Sequence, residues 1–440
     1  MALPLTGGAA RGQAIEELRP SDLLEPAQDD IAAEPPAEVA APARVEPPAE
    51  DEEPVIRRRR VPPEDPYAPQ GMAAGALRLY PVLQSGAILS SNPRQRNGGS
   101  KAGLGLRLAP SFRLESDWVR HSLRLNGSAE IIDYPSRDIP VERTANLTLA
   151  ARIDVRRTTF IDFDANYDYD RTGAEDSEVP DTAEGDRVEH ELGGFAALNH
   201  TFGRLTLRGR SGARLKLFED VQLAGGGIED NADRNYVEPE LALRATYETS
   251  PALKPFADVA YRPRLHLDTP DRNGFDRDSQ GGQLRLGAQF DASPLWSGEL
   301  AMAYTVRDYD DPALGTIGAL GIIGNVVWRP TELTTITASA NSSIDETVAA
   351  GSGGTRTYEA RLEAEHELRE NILLVARTGI EFDQRDGPDD LTFDAGIGVT
   401  YRFNPWLAWT AGYGFTSFDG GAPQSDYVEH RVTTGIEIRR

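Results

Sequence analysis

Cysteine is absent from all 440 residues, so the chain has no disulfide, no thiolate metal site and no thiol nucleophile. It also lacks any uninterrupted apolar run of about 18 residues, which excludes a membrane-crossing helix. A membrane-crossing barrel stays open, because barrel strands carry only every second residue to lipid. Base is scarce beside acid: 46 Lys and Arg face 70 Asp and Glu, a net charge of −24, so no general basic footprint for nucleic acid exists. The six histidines are dispersed. EHEL occurs at 189–192 and 365–368 but lacks the second His of a zinc-protease helix. No GxSxG elbow, P-loop or dinucleotide fingerprint falls in a strand-to-helix context, and GLGL at 103–106 reads as part of a strand. No enzyme, cofactor or metal site is expected.

What is present begins with a tail. Residues 1–14, ending in small residues and Gln13-Ala14, resemble the end of a secretory signal. Residues 15–70 are rich in Pro, Ala and Glu and include the run Arg57 to Arg60. Such a composition cannot bury enough surface to offset its chain entropy, so a disordered periplasmic tail is expected.

From Gly71 to Arg440 the texture changes to segments of ten to fifteen residues with a period of two. In LTFDAGIGVTYRF, Leu391, Phe393, Ala395, Ile397, Val399, Tyr401 and Phe403 share one face, and Thr392, Asp394, Thr400 and Arg402 the other. Eighteen such segments are read, starting near residues 79, 102, 121, 145, 158, 188, 204, 236, 254, 282, 297, 316, 333, 357, 371, 390, 406 and 427. Each has roughly 20 residues, enough for a tilted spanning strand of 9 to 11 and a connection. The fold class expected is all-β: a transmembrane antiparallel β-barrel of about 18 strands.

The connections alternate long and short: SNPRQRNGGS, then ESDWVR; RTGAEDSEVPDTAEGDR, then FGR; DTPDRNGFDRDSQG, then ASPLW. Outer-membrane barrels pair short periplasmic turns with longer external loops, and a soluble sandwich has no reason to. All five tryptophans, Trp118, Trp296, Trp328, Trp406 and Trp409, lie in or beside the short turns, as a periplasmic aromatic girdle would. Tyr134, Tyr309 and Phe418 are assigned to the opposite girdle, with membrane lipid as the surrounding partner.

FIDFDANYDYD at 160–170 raises a choice between calcium ligands and one face of a strand. An EF-hand loop needs Gly at its sixth position and Glu at its twelfth, where this chain has Tyr167 and Gly173. The strand reading holds: Asp162, Asp164, Asn166, Asp168 and Asp170 face a lumen, and Ile161, Phe163, Ala165, Tyr167 and Tyr169 face lipid. The same phase assigns Arg208, Arg210, Arg214, Lys216, Arg262, Arg264, Glu359, Arg361, Glu363, Arg377, Asp394 and Arg402 to the pore lining. Opposed acidic and basic stripes would set a transverse field across a wet channel. The acidic loop at 171–187 is the first candidate constriction.

The run GALRLYPVLQSGAILSSN at 75–92, followed by APSFRLESDW at 109–118, resembles the start of the putative β-barrel porin 2 family of proteobacteria. That resemblance implies an outer-membrane porin, and it implies association with polysaccharide-export components in some members. The barrel-assembly machinery is the further partner expected. One departure stands out: barrels commonly end in an aromatic residue, and this chain ends GIEIRR. Either the insertion signal is atypical or the last strand lies elsewhere. The expected function is passive passage of hydrophilic solutes; the alternatives are an exopolysaccharide export pore or a surface barrel acting through its loops.

Overall fold

The computed structural model describes residues 65–440, apart from 98–100, 136–138, 173–182, 184–185, 348 and 421–425. The signal-like segment, most of the tail and the bulk of the acidic 171–187 loop therefore lie outside the described residues.

Among the described residues, eighteen long strands make one closed antiparallel barrel. The first six are β1 (Leu77–Ser90), β2 (Gly103–Ser116), β3 (Ser122–Asp133), β4 (Glu142–Arg156), β5 (Thr159–Thr172) and β6 (Arg187–Phe202). Next come β7 (Leu205–Phe218), β8 (Tyr236–Tyr247), β9 (Leu253–Tyr261), β10 (Ser279–Ser293), β11 (Trp296–Tyr309) and β12 (Thr316–Thr331). The circuit ends with β13 (Thr334–Asp345), β14 (Thr355–Arg369), β15 (Ile372–Gln384), β16 (Asp390–Asn404), β17 (Leu407–Asp419) and β18 (Tyr427–Arg439). Each pairs with its chain neighbours, and β18 closes on β1 with Arg439 opposite Val82 and Arg431 opposite Ser90. The segment ending GIEIRR is thus a full wall strand.

Where β18 runs out, β1 would be left with a bare edge of unpaired backbone groups. Met72–Ala74 covers it by folding back on Leu77–Leu79 through Gly75, whose φ of 66° only glycine adopts without cost. The amide of Arg440 also donates to the carbonyl of Pro81. The entering chain stays at this short-turn end, with the Arg439 guanidinium donating to the Tyr67 carbonyl at 3.2 Å.

The period-two pattern becomes two surfaces. On β2, Leu104, Leu106 and Leu108 are exposed while Gly105 and Arg107 between them are buried. Contacts that skip strands tell which surface is concave. Arg244 of β8 donates to both carboxylate oxygens of Glu299 on β11, at 3.0 and 2.6 Å, with β9 and β10 lying between. Those strands are roughly 14 Å apart along the wall at the usual strand spacing, so side chains meet only on the face where they converge. The charged face is therefore the inside, and the Leu, Ile and Val rows are the outside.

Trp296 and Trp328 stack on the outside near the short turns, with ring centroids 5.2 Å apart. The opposite girdle needs correcting. Tyr134 and Tyr309 are buried on the inner face, and Phe418 stacks on the buried inner Tyr427. Their level on the strands matches a girdle but their phase does not. Tyr261, Tyr304, Tyr413 and Phe393 are aromatics exposed on the outer face.

Candidate pore lining

The basic row of β7 is built by strict alternation, and the strands on either side answer it with carboxylates. Lys216 pairs with Glu189 at 2.9 Å and Arg214 with Glu191 at 2.7 Å, both on β6. On β8, Glu240 accepts from Arg210 and from the Nε of Arg262 at 2.6 Å. Glu238 is the hub: Arg307 reaches it at 2.7 Å, Arg264 at 3.2 Å and Arg214 at 3.4 Å. Glu238, Arg264 and Arg307 are all buried, so this is a desolvated ionic cluster rather than a solvated stripe.

The acidic row of β5 is satisfied differently. Asp162 accepts from Arg152 at 3.0 Å and from Asn199 at 2.9 Å; Asp168 accepts from Asn166 at 2.8 Å. Asp164 faces the Arg208 guanidinium at 3.8 Å, and Asp170 accepts the Arg171 amide. Across the barrel, Glu359 pairs with Arg361 and Glu363 with Arg377 at 3.5 Å. Gly379 leaves room for Asp394, since a Cβ there would sit 2.4 Å from its Oδ1. Arg402 sits at the short-turn end against Asp65 at 3.3 Å and does not join the other sets. The residues assigned to a pore lining thus fall into three groups and one outlier.

Alternation alone also assigns residues that the sequence reading passed over: Glu238, Glu240, Glu189, Glu191, Arg244 and Arg307 share the inward phase of their strands. Their pairing has a consequence for the expected transverse field. The β7 bases are interleaved with acids from β6 and β8, so much of that stripe is neutralised where it stands. Three inward aromatic rings are likewise covered by guanidinium groups: Arg210 lies 3.7 Å over Phe195, Arg244 3.6 Å over Phe256 and Arg152 4.0 Å over Phe160.

At the other end of the barrel the 262–278 connection ties its neighbours together. Arg272 donates to Asp233 Oδ1 at 2.7 Å, to the Asp230 carbonyl at 2.7 Å and to Glu229. Arg277 donates to Asp271 at 2.6 Å and to the Ser352 and Ala349 carbonyls at 3.0 and 3.1 Å. Burial alone would raise both carboxyls. For Asp271 the Phe275 amide and the Arg277 guanidinium outweigh it, and for Asp233 the Arg272 guanidinium and amide do, so both are held below the ordinary carboxylate range.

An apolar outer face, an ionic inner face and a closed circuit of eighteen strands define a porin-like outer-membrane barrel. The chain belongs to the putative β-barrel porin 2 family, whose model matches residues 65–440. No curated protein matches it. Among solved structures it is similar to the outer membrane protein OpdK from Pseudomonas aeruginosa, with 10% identity, 82% of this chain and 99% of that chain covered, and a TM-score of 0.41. OccK8 (OprE) from Pseudomonas aeruginosa gives 10% identity, 83% and 100% coverage and a TM-score of 0.39. The siderophore receptor PirA from Pseudomonas aeruginosa gives 9%, 82% and 80%, and 0.37. No helix among the described residues is long and apolar enough to cross a membrane.

Proposed function

We propose that the protein is a passive channel for hydrophilic solutes with a preference for cations. The observation that carries this reading is that ionic side chains on the concave face keep contact with water: the Arg361 side chain is 55% exposed, Arg113 43% and Asp164 36%. A filled interior would bury them. Eighteen strands fall in the range that leaves an aqueous lumen. The acid surplus on β5 and on β14 to β16 supplies the preference. The inward rings of Phe160, Phe195 and Phe256, each capped by an arginine, offer no bare platform for a sugar, which favours small solutes over a polysaccharide strand. We further place the N-terminal tail in the periplasm, since Asp65 and Tyr67 lie against Arg402 and Arg439 beside the short turns.

Purified protein in planar bilayers tests this. Stepwise ohmic openings are expected, with a reversal potential in a KCl gradient of the sign that marks K⁺ permeation, and a smaller potential in the Asp164→Asn/Asp394→Asn variant. Heat-modifiable, folded protein that gives no openings would refute the channel; an anion-selective potential would refute the preference.

A further inference from the structure

Between β12 and β13 the wall is joined over only part of its height. The ladder runs from Thr331 opposite Thr334, through a register shift, to Gly324 opposite Ala340 and goes no further, although β12 extends to Thr316 and β13 to Asp345. Each strand is held on its far side: Thr316 lies opposite Asp308 of β11, and Asp345 opposite Thr355 of β14. Above the break the two edges overlap instead of meeting. Gly321, inward on β12, lies over Ser342, and a Cβ there would be 2.2 Å from the Ser342 Oγ. Ile344 has the outward phase of β13, yet it is buried with Tyr309, Leu314, Ile317 and Ala319, which belong to the inner side of β11, β12 and their connection. The outer face of upper β13 is therefore tucked beneath the inner face of upper β12. One polar latch spans the join: Arg356 of β14 passes β13 and donates its Nε to the Gly318 carbonyl at 2.7 Å.

We propose that this overlap is a lateral route between the loop-end mouth of the barrel and the surrounding bilayer, used by amphipathic molecules with an apolar chain and separate from the axial path for hydrophilic solutes. A continuous ladder cannot part in hydrocarbon, because each freed N–H and C=O would have no partner. An apolar overlap can, because lipid or ligand chains replace the lost contacts at little cost. Both ends of the route are apolar. Phe275 packs on the cluster from the mouth side, and Leu320 and Ile322 are exposed on the lipid side of the same strand. The other buried apolar cluster at the mouth, Ile88, Ile132 and Tyr134, lies behind a β1–β2 ladder that continues to Ser90 opposite Gly103, so it offers no such exit.

The absence of native cysteine makes the test specific. The Ala319→Cys/Ile344→Cys variant, bridged by oxidation or by a short bis-maleimide, staples the overlap. The probe is the apolar dye N-phenylnaphthylamine, whose entry into a porin-deficient Gram-negative host expressing the variant is followed by fluorescence. KCl conductance of the same stapled protein is measured in planar bilayers. Stapling is expected to slow dye entry several-fold with conductance unchanged, and reductant is expected to restore the rate of the disulfide form. Arg356→Gln, which removes the latch, is expected to speed dye entry. Unchanged dye entry on stapling overturns the proposal, as does a parallel fall in dye entry and conductance, which would place both solutes in the lumen. A folded barrel whose cysteines fail to bridge would show that the two faces do not meet.

Discussion

Replacing Glu238 with Gln removes one negative charge from between three guanidinium groups and leaves the shape of the site nearly unchanged. Arg307, Arg264 and Arg214 lie 2.7, 3.2 and 3.4 Å from this carboxylate, and the side chains of Glu238, Arg264 and Arg307 are 7, 5 and 6% exposed. Water cannot take over the lost counter-charge at that burial. Breaking a buried ion pair from one side costs about 3–5 kcal/mol. At 1.36 kcal/mol per decade, E238Q should lower the folding equilibrium by roughly 150- to 5,000-fold. Glu363 supplies the contrast: its side chain is 33% exposed and Arg377 stands 3.5 Å away, so E363Q should cost about 1 kcal/mol or less. Urea unfolding in lipid vesicles, followed by the fluorescence of the five turn-end tryptophans, measures both. Equal losses for the two variants would mean that burial of the Glu238 cluster does not set its energetics. A rescue of E238Q by Arg307→Met, which removes one of the uncompensated cations, should recover part of the loss.

The remaining expectations concern the loops and the lipid face. Asp233 and Asp271 have depressed pKa values in the folded protein, so their stabilisation is full above the ordinary carboxylate value of about 3.9 and is lost as pH falls through the folded values. Hydrogen exchange over residues 219–235 and 262–278 should therefore stay slow from neutral pH down to about 4 and accelerate below it, relative to the strands. Loss of protection that is complete by pH 6 would contradict the arginine clamps. On β4, Leu147 and Thr148 have opposite phases, and Leu147 is exposed on the outer face. L147R should cost about 2–4 kcal/mol in vesicle unfolding, whereas T148R should cost far less because its charge enters the lumen. Equal costs would deny the assignment of lipid and water to the two faces.

Strand number and phase were legible because they depend on one-dimensional facts. Alternation along FIDFDANYDYD separates Asp162 from Phe163 whatever the neighbouring strands do, and the long and short connections mark the two ends without reference to pairing. Partner choice is a different kind of fact. Arg244 meets Glu299 because register and curvature bring β8 and β11 together on the concave side, and no spacing within either strand encodes that. Tyr134, Tyr309 and Phe418 show the same limit at the rim, where their level pointed to a girdle and their inward phase put them inside. The half-joined edge of β13 was also hidden. VVWRPTELTTITASANSSID alternates smoothly through the break, and the only local hint is the run of glycines at 318, 321 and 324 on β12.

The inner wall can now be divided by how its charges are compensated, and that division bears on selectivity. From β6 to β11, carboxylates and guanidiniums interlock, and the loops above are tied by Arg272 and Arg277. Fixed charges neutralised at hydrogen-bond distance project little field into the lumen. The inward phase of upper β12, with Ile317, Ala319 and Gly321, carries no charge and is covered by upper β13. Beyond it, Glu359, Glu363, Glu381 and Asp394 outnumber Arg361 and Arg377 on the inner faces of β14 to β16. A permeating cation should therefore feel the β14–β16 wall and the Asp164 region of β5, where pairing is loose. The more heavily charged β7–β8 wall would act as a brace and contribute little to ion choice. The count of lining charges is thus a poor guide to selectivity here, and the distance from each charge to its partner is a better one.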